Sequence, residues 1–182
     1  MKRLNIGCGA DSKEGYINLD IAKLKGVDVV HDLQKLPWPF KDSEFDYINA
    51  EQILEHLNDI PSILRELWRV TKAGGKIHIE VPHYASPGAW FDLTHKHPFG
   101  WMSLDYMAAN KIHKHSVGKR HQHEYGQKEK FNILKRGFIF GKFHKITGVS
   151  LFAHTFPFFY EMFNFAYFFP PRHMYFDLEV VK

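Results

Sequence analysis

Four short β-rich runs in the first fifty residues, Arg3–Ile6, Tyr16–Leu19, Val27–His31 and Phe45–Ala50, limit what this chain can become. The first three run into Gly7, Asp20 and Asp32, residue types that end strands by turning the backbone or capping the next segment. Strands this short, joined by connections of variable length, point to a parallel sheet. After the fourth run, Ile60, Ile63, Leu64, Leu67 and Trp68 recur at helical spacing, so Ile60–Val70 reads as an amphipathic helix. It stops at Ala73-Gly74-Gly75 after basic Arg69 and Lys72, and Lys76–Val81 then alternates toward a fifth strand that Pro82 ends. Phe143–Phe152 and Met174–Val181 read as two last strands, separated by an aromatic segment, Pro157–Phe169, able to form helix. A short helix is also expected near Ser103–Asn110. The expectation is an α/β fold: a doubly wound, seven-stranded, mostly parallel sheet with an antiparallel terminal strand, in three α/β/α layers.

A chain of 182 residues with 45% hydrophobic content can bury a core of its own, so residues 1–182 are expected to form a single domain. Within it, about 83–130 reads as a His/Lys-rich insertion and about 153–171 as an aromatic lid or interface segment. The single cysteine, Cys8, cannot form an internal disulfide, and no leader precedes the first strand, so a cytoplasmic location is expected. Much of the +4 net charge falls between Lys111 and Lys145, which makes whole-chain charge a weak argument for nucleic acid. The most aromatic stretch, Leu151–Pro171, is interrupted by His154, Glu161, Asn164 and three prolines, so no transmembrane segment is expected.

Ligands of doubly wound sheets bind beyond the carboxyl ends of the strands. That rule gathers Gly7–Gly9, Asp20, His31–Asp32, Ala50–Glu51 and Pro82–His83 at one edge. Glycines at 7 and 9 let the backbone turn tightly and approach a ligand. A dinucleotide fingerprint would need a third glycine at position 12, which is Ser, and a helix where Asp11–Gly15 stands; a pyrophosphate cradle, and with it a nicotinamide dehydrogenase, is disfavoured. Asp20 is positioned to accept hydrogen bonds from both hydroxyls of a ribose, the alternative being a cap on the next segment. Asp32, Leu33 and the Leu36-Pro37-Trp38 turn offer a carboxylate and an apolar wall to an adenine, although a plain turn aspartate would look the same.

In order and in kind, LNIGCG, NLD, HDLQKLPWPFKDSEFDYINAEQILEHL and RELWRVTKAGGKIHIEVPH resemble the class I, Rossmann-like S-adenosylmethionine-dependent methyltransferases, in particular the small type 11 group. The resemblance covers about residues 3–83 and implies S-adenosyl-L-methionine as cofactor. It puts Asn5, Gly7 and Gly9 around the methionine part and Asp20 at the ribose, with Cys8 and Ile21 as further cofactor-binding residues. Asp32 and Leu33 fall at the adenine, and Ala50 and Glu51 beside the sulfonium. The chain departs from the family in three ways. Asn5 stands where an acid is frequent, the first helix is cut to a loop, and the customary N-terminal helices that cover the cofactor are missing, so another segment is expected to cover it.

Methyl transfer is an in-line displacement at an activated methyl, so positioning can supply most of the rate and a general base is optional. His83 follows the fifth strand, and Asp92-Leu93-Thr94-His95 resembles an Asp-x-Thr-His element of related small methyltransferases; His83 and His95 are the catalytic candidates, loop support being the alternative. His95-x-His97, His113-x-His115 and His121-x-His123 have permissive metal spacing, but no acid or cysteine completes a zinc signature, and no metal is expected. The basic loop with Tyr125 and Phe131 would suit an RNA methyltransferase, but a solvated positive surface explains it more simply. The expected partner is a small-molecule methyl acceptor, with the aromatic segment as lid or homodimer seam. A cofactor-binding regulatory module without turnover is the competing class.

Overall fold

The computed structural model describes residues 1–110, 128–142, 144 and 147–182. Among them, seven strands form one sheet in the order β3-β2-β1-β4-β5-β7-β6. The strands are β1 (Arg3–Ile6), β2 (Ile17–Asp20), β3 (Val29–Val30), β4 (Phe45–Glu51), β5 (Thr71–Pro82), β6 (Lys130–Ile139) and β7 (His173–Val181). β1 to β5 pair in parallel, whereas β7 runs antiparallel to both β5 and β6. This is the mostly parallel, doubly wound sheet with an antiparallel terminal strand that the sequence leads one to expect.

Alternation explains which face carries the core. Leu4↔Ile48, Ile48↔Ile77, Ile77↔Leu178 and Ile133↔Leu178 are register partners, and all five residues are buried, so one apolar row crosses the sheet. Shifted by one residue, a polar row runs through Asn18, Asn5, Asn49, His78 and Asp177 on the other face. Parallel strands buried on both faces read as continuous apolar runs, and these do not. The polar row satisfies itself laterally. Asn5 Nδ2 donates to Asn18 Oδ1 at 3.1 Å, Asn49 Nδ2 donates to Asn5 Oδ1 at 2.9 Å, and His78 Nδ1 lies 2.7 Å from Asp177 Oδ1.

The helix expected at Ile60–Val70 is present as α1 and packs along β5. It buries Ile60, Ile63, Leu64, Leu67 and Val70 as one stripe. Its start is fixed by Asp59, whose Oδ1 accepts from the Ser62 amide at 3.1 Å, and by Pro61 in the first turn. Asp59→Ala is expected to lower the unfolding free energy by about 1 kcal/mol, and Asp59→Asn by a few tenths at most, as read by urea denaturation. By contrast, residues 7–16, 21–28 and 31–44, which join the first four strands, contain no α-helix.

Two expectations are corrected. The strand expected at Phe143–Phe152 is absent among the described residues of that range: the sixth strand is Lys130–Ile139, and Val149–Thr155 is a helix entered through Gly148 at φ 76°. A bulge between Ile133 and Lys135 shifts the phase of β6 and turns Arg136 inward, which hides its alternation in the sequence. The short helix expected near Ser103–Asn110 is a 3-10 turn at Asp105–Met107. After β5 comes α2 (Gly88–Phe91); between β6 and β7 come α3 (Val149–Thr155), α4 (Pro157–Met162) and α5 (Phe165–Phe168). The last two are separated at Asn164, which takes φ 63°. No helix among the described residues is long and apolar enough to cross a membrane.

Candidate active site

β1 ends in a turn whose two glycines have different physical reasons. Gly7 has φ 63°, and a Cβ there would fall 2.4 Å from Ile53 Cγ1, so packing as well as backbone conformation requires glycine. Gly9 has φ 49°, and a Cβ there would meet no protein atom within 4 Å. Open space beside a glycine backbone is what a ligand needs for close approach. Between them the Cys8 amide donates to the Leu19 carbonyl at 3.1 Å, tying the turn to β2. Burial, then the nearby Asp20 charge, raises the Cys8 thiol pKa, so this sulfur is a packing group.

Asp20 closes β2 directly across from that turn. Its Oδ2 accepts from the Gly9 amide at 2.8 Å and its Oδ1 from the Ala22 amide at 2.9 Å. A carboxylate has about four acceptor positions, so both oxygens retain capacity for further donors. The next side chain, Ile21, is 67% exposed, an apolar surface at the rim of the edge. Asn5 lies beneath the turn, nearly buried, with its amide spent on Asn18 and Asn49.

The third wall comes from residues 31–44. Asp32 Oδ1 accepts from the Gln34 amide at 3.0 Å, and the buried Leu33 accepts on its carbonyl from Trp38 Nε1 at 2.9 Å. Arg69 of α1 holds this segment, donating to the carbonyls of Phe40 (2.9 Å) and Trp38 (3.2 Å), to Asp42 (2.6 Å) and to Glu66 (2.9 and 2.6 Å). β4 delivers Ala50, buried, and Glu51, which pairs with Lys13 Nζ at 2.9 Å across the β1–β2 loop.

The two histidine candidates sit in different environments. His83 has no exposed surface. Its Nδ1 accepts from the Ala85 amide at 3.1 Å, which leaves the proton on Nε2, 3.0 Å from Glu161 Oε1. The same oxygen accepts from the Trp101 amide at 2.8 Å, so His83 ties the end of β5 to α4, and an acceptor molecule reaches neither ring nitrogen in this arrangement. His95 is half-buried, stands edge-on to His56 with ring centroids 4.7 Å apart, and donates from Nδ1 to the Ala89 carbonyl at 3.1 Å.

Glu55 and His56, in a 3-10 turn at Leu54–His56 just after β4, were not among the sequence candidates. Glu55 is buried and its carboxyl pKa is pushed up to about 7 by burial. Glu55, His56 and His95 each bring one donor atom within 4.8 Å of the others. The adjacent Glu-His pair after a strand end was the available signal, but its completion by His95 depends on tertiary structure. His97 Nε2 lies 3.0 Å from the Asn58 carbonyl. His113, His115, His121, His123 and Tyr125 lie outside the described residues.

Because β6 and β5 end where β7 begins, α3 to α5 lie at the same sheet edge as the glycine turn. Phe156, Phe159, Phe163, Tyr167 and Phe168 are exposed there, and Phe152, Phe156, Phe159, Phe163 and Phe165 line an apolar cleft.

Comparison with known proteins agrees with this geometry. Residues 5–79 match the family described as a methyltransferase domain of the type 11 group. An uncharacterised methyltransferase of Schizosaccharomyces pombe is 49% identical over 45 residues, 25% of this chain and 16% of the relative. A demethylmenaquinone methyltransferase of Listeria welshimeri is 34% identical over 65 residues, 36% of this chain and 27% of the relative. The chain thus spans between about a sixth and a quarter of the length of these curated relatives. Among solved structures, a SAM-dependent methyltransferase from Archaeoglobus fulgidus superposes with a TM-score of 0.51 at 18% identity, covering 98% of this chain and 86% of that one. YcgJ from Bacillus subtilis gives 0.52 at 15% identity, covering 100% and 92%. Residues 5–79 thus carry the signature of a methyltransferase domain, and the sheet has the Rossmann-like α/β fold of the S-adenosylmethionine-dependent methyltransferase structures it resembles.

Proposed function

We propose that this protein transfers the methyl group of S-adenosyl-L-methionine to a small-molecule acceptor with an apolar body. The observation that carries the reading is the pairing of an open Gly9 backbone with the Asp20 carboxylate opposite it, at the sheet edge where such folds take ligands. The cofactor of this family supplies a methyl already activated on a sulfonium. The residues present fit it: a Cβ-free approach at Gly9, spare acceptor capacity on Asp20 for two ribose hydroxyls, and apolar surface from Ile21 for the base.

What the chain contributes is position and dryness. Gly7 and Gly9 admit the ligand to the backbone, Asp20 orients the ribose, and Asp32 with Leu33 borders the adenine. Ala50 and Glu51 lie beside the reacting sulfur, with Lys13 keeping Glu51 in place. The aromatic segment, tied down by His83 and Glu161, walls the acceptor side and excludes water. His83 is in this reading a positioning residue, and His95 is the histidine nearer an acceptor. An apolar acceptor suits the phenylalanine cleft, as it suits the relative named for demethylmenaquinone.

Asp20→Ala is expected to weaken binding of S-adenosylhomocysteine by about 1.5–3 kcal/mol, through loss of charge-assisted hydrogen bonds. The melting temperature of the ligand-free protein should stay near wild type. Unchanged affinity in calorimetry would remove Asp20 from the site. Turnover is tested by following cofactor consumption against a panel of phenols, quinols, amines and carboxylates. Consumption with at least one supports an enzyme, whereas binding without turnover across the panel supports a regulatory module.

A further inference from the structure

The turn after β4 and the loop after α2 bring together three groups, of which the methyl-transfer reading uses only His95, and that one beside the acceptor. One donor atom each from Glu55, His56 and His95 lies within 4.8 Å of the other two. Glu55 is 1% exposed, and neither of its carboxylate oxygens has a hydrogen-bond partner among the described residues. A buried carboxylate without partners is strongly disfavoured unless it is protonated or a cation sits against it.

The two imidazoles are set up as neutral ligands. Thr94 Oγ1 donates its one proton to Asp92 Oδ1 at 2.6 Å, so it accepts from His56 Nδ1 at 2.8 Å. His95 Nδ1 donates to the Ala89 carbonyl at 3.1 Å. Both rings therefore carry the proton on Nδ1 and keep the Nε2 lone pair, with the outer nitrogen bonded to oxygen as metal-bound histidines commonly are. The Lys96 amide donates to the Glu55 carbonyl at 2.7 Å, which fixes the two segments relative to each other. Asp92 Oδ2, 3.8 Å from His95 Nε2, supplies a further carboxylate at the rim.

We propose that Glu55, His56 and His95 bind a divalent transition-metal cation, with zinc the best chemical match. Two neutral imidazoles and one carboxylate are the protein ligands of zinc sites that keep a position open. Zinc holds such ligands at about 2.0–2.2 Å, which puts neighbouring donors roughly 3.4 Å apart, so these side chains draw in by about 1 Å on binding. The site adjoins the glycine turn, because Ile53, two residues before Glu55, packs against Gly7. An open coordination position there would seat an oxygen of the acceptor, a role that rests on the methyl-transfer reading, whereas the metal site does not.

The test uses the full chain, stripped with chelator and titrated with Zn²⁺ by calorimetry and with Co²⁺ by visible absorption, without S-adenosylmethionine. The chain has 13 histidines, so stoichiometry alone is not diagnostic and two variants carry the test. Wild type is expected to bind one tight equivalent of Zn²⁺, to melt at a higher temperature with it, and to give d–d bands with Co²⁺. Glu55→Gln, isosteric and uncharged, and His95→Gln should each lower the affinity at least 10-fold and remove those bands. Should His95→Gln fail to fold by circular dichroism, the Glu55→Gln comparison decides. Absence of a tight equivalent in wild type would overturn the proposal. So would affinity and Co²⁺ spectra left unchanged by Glu55→Gln, which would locate the metal on other histidines. Failure of methyl transfer with Zn²⁺ binding intact would leave the metal site standing and remove only its role with the acceptor.

Discussion

Arg136→Met is expected to lower the unfolding free energy by about 3–5 kcal/mol, because it withdraws a guanidinium from the fully buried carboxylate of Asp105. Arg136 Nη1 lies 2.5 Å from Asp105 Oδ1 and 2.8 Å from the Trp101 carbonyl, and its guanidinium stands over the Trp101 ring at 4.8 Å. Methionine keeps most of the volume but supplies neither charge nor donors, so the carboxylate loses a cation that helps to offset its desolvation. The double variant Arg136→Met/Asp105→Leu should recover much of the loss, since an apolar replacement for both members removes the buried charge altogether. Urea denaturation followed by circular dichroism checks both. A loss below about 1 kcal/mol in the single variant would mean that the pair is solvated and does not anchor the post-β5 segment to β6.

Arg69→Met is expected to cost about 3 kcal/mol, toward the lower end for a buried pair because the Arg69 side chain is 23% exposed. Its guanidinium, whose pKa the Glu66 carboxylate raises further, is the common partner of Glu66, Asp42 and two carbonyls of the 31–44 segment. Removing it leaves the Glu66 carboxylate with the Trp38 amide, 2.6 Å away, and frees the segment that carries Asp32 and Leu33. Cofactor affinity should therefore fall together with stability, unlike the Asp20→Ala case. Arg69→Lys should restore only part of either, since one ammonium cannot reproduce the planar fork that reaches four groups. Calorimetry and urea denaturation on the same three proteins separate these outcomes; full rescue by lysine would contradict the geometric account.

β1 to β5 and α1 were legible because each rests on local signals: an apolar period and a stop residue. α1 showed in the helical spacing of Ile60, Ile63, Leu64 and Leu67, whereas the Ala73-Gly74-Gly75 stop expected after it lies inside β5, which begins at Thr71 directly after the helix. β3 was read too long, since as the edge strand it pairs only at Val29 and Val30. β6 was misplaced because its bulge breaks the two-residue period and because Arg136, a charged residue, points into the core.

The site divides along the same line. Gly7, Gly9 and Asp20 could be named because backbone conformation and strand ends demand those residue types locally. Asn5 was expected in the loop around the methionine but lies in β1, buried, and its hydrogen bonds to Asn18 and Asn49 belong to sheet register, 13 and 44 residues away. His83 was located correctly at a strand end, yet its burial depends on Glu161, 78 residues on. The Glu55–His56–His95 cluster is likewise invisible to any window along the chain. An orphaned buried carboxylate is a three-dimensional fact.

Whether the edge formed by Gly9, Asp20 and Ile21 takes S-adenosylmethionine and not a dinucleotide is tested most directly by titrating the wild-type protein with S-adenosylhomocysteine and, separately, with NADH. One saturable equivalent of S-adenosylhomocysteine, weakened by Asp20→Ala, with no binding of NADH, is the predicted result. Binding of NADH in place of S-adenosylhomocysteine, or of neither at high micromolar concentration, would contradict it.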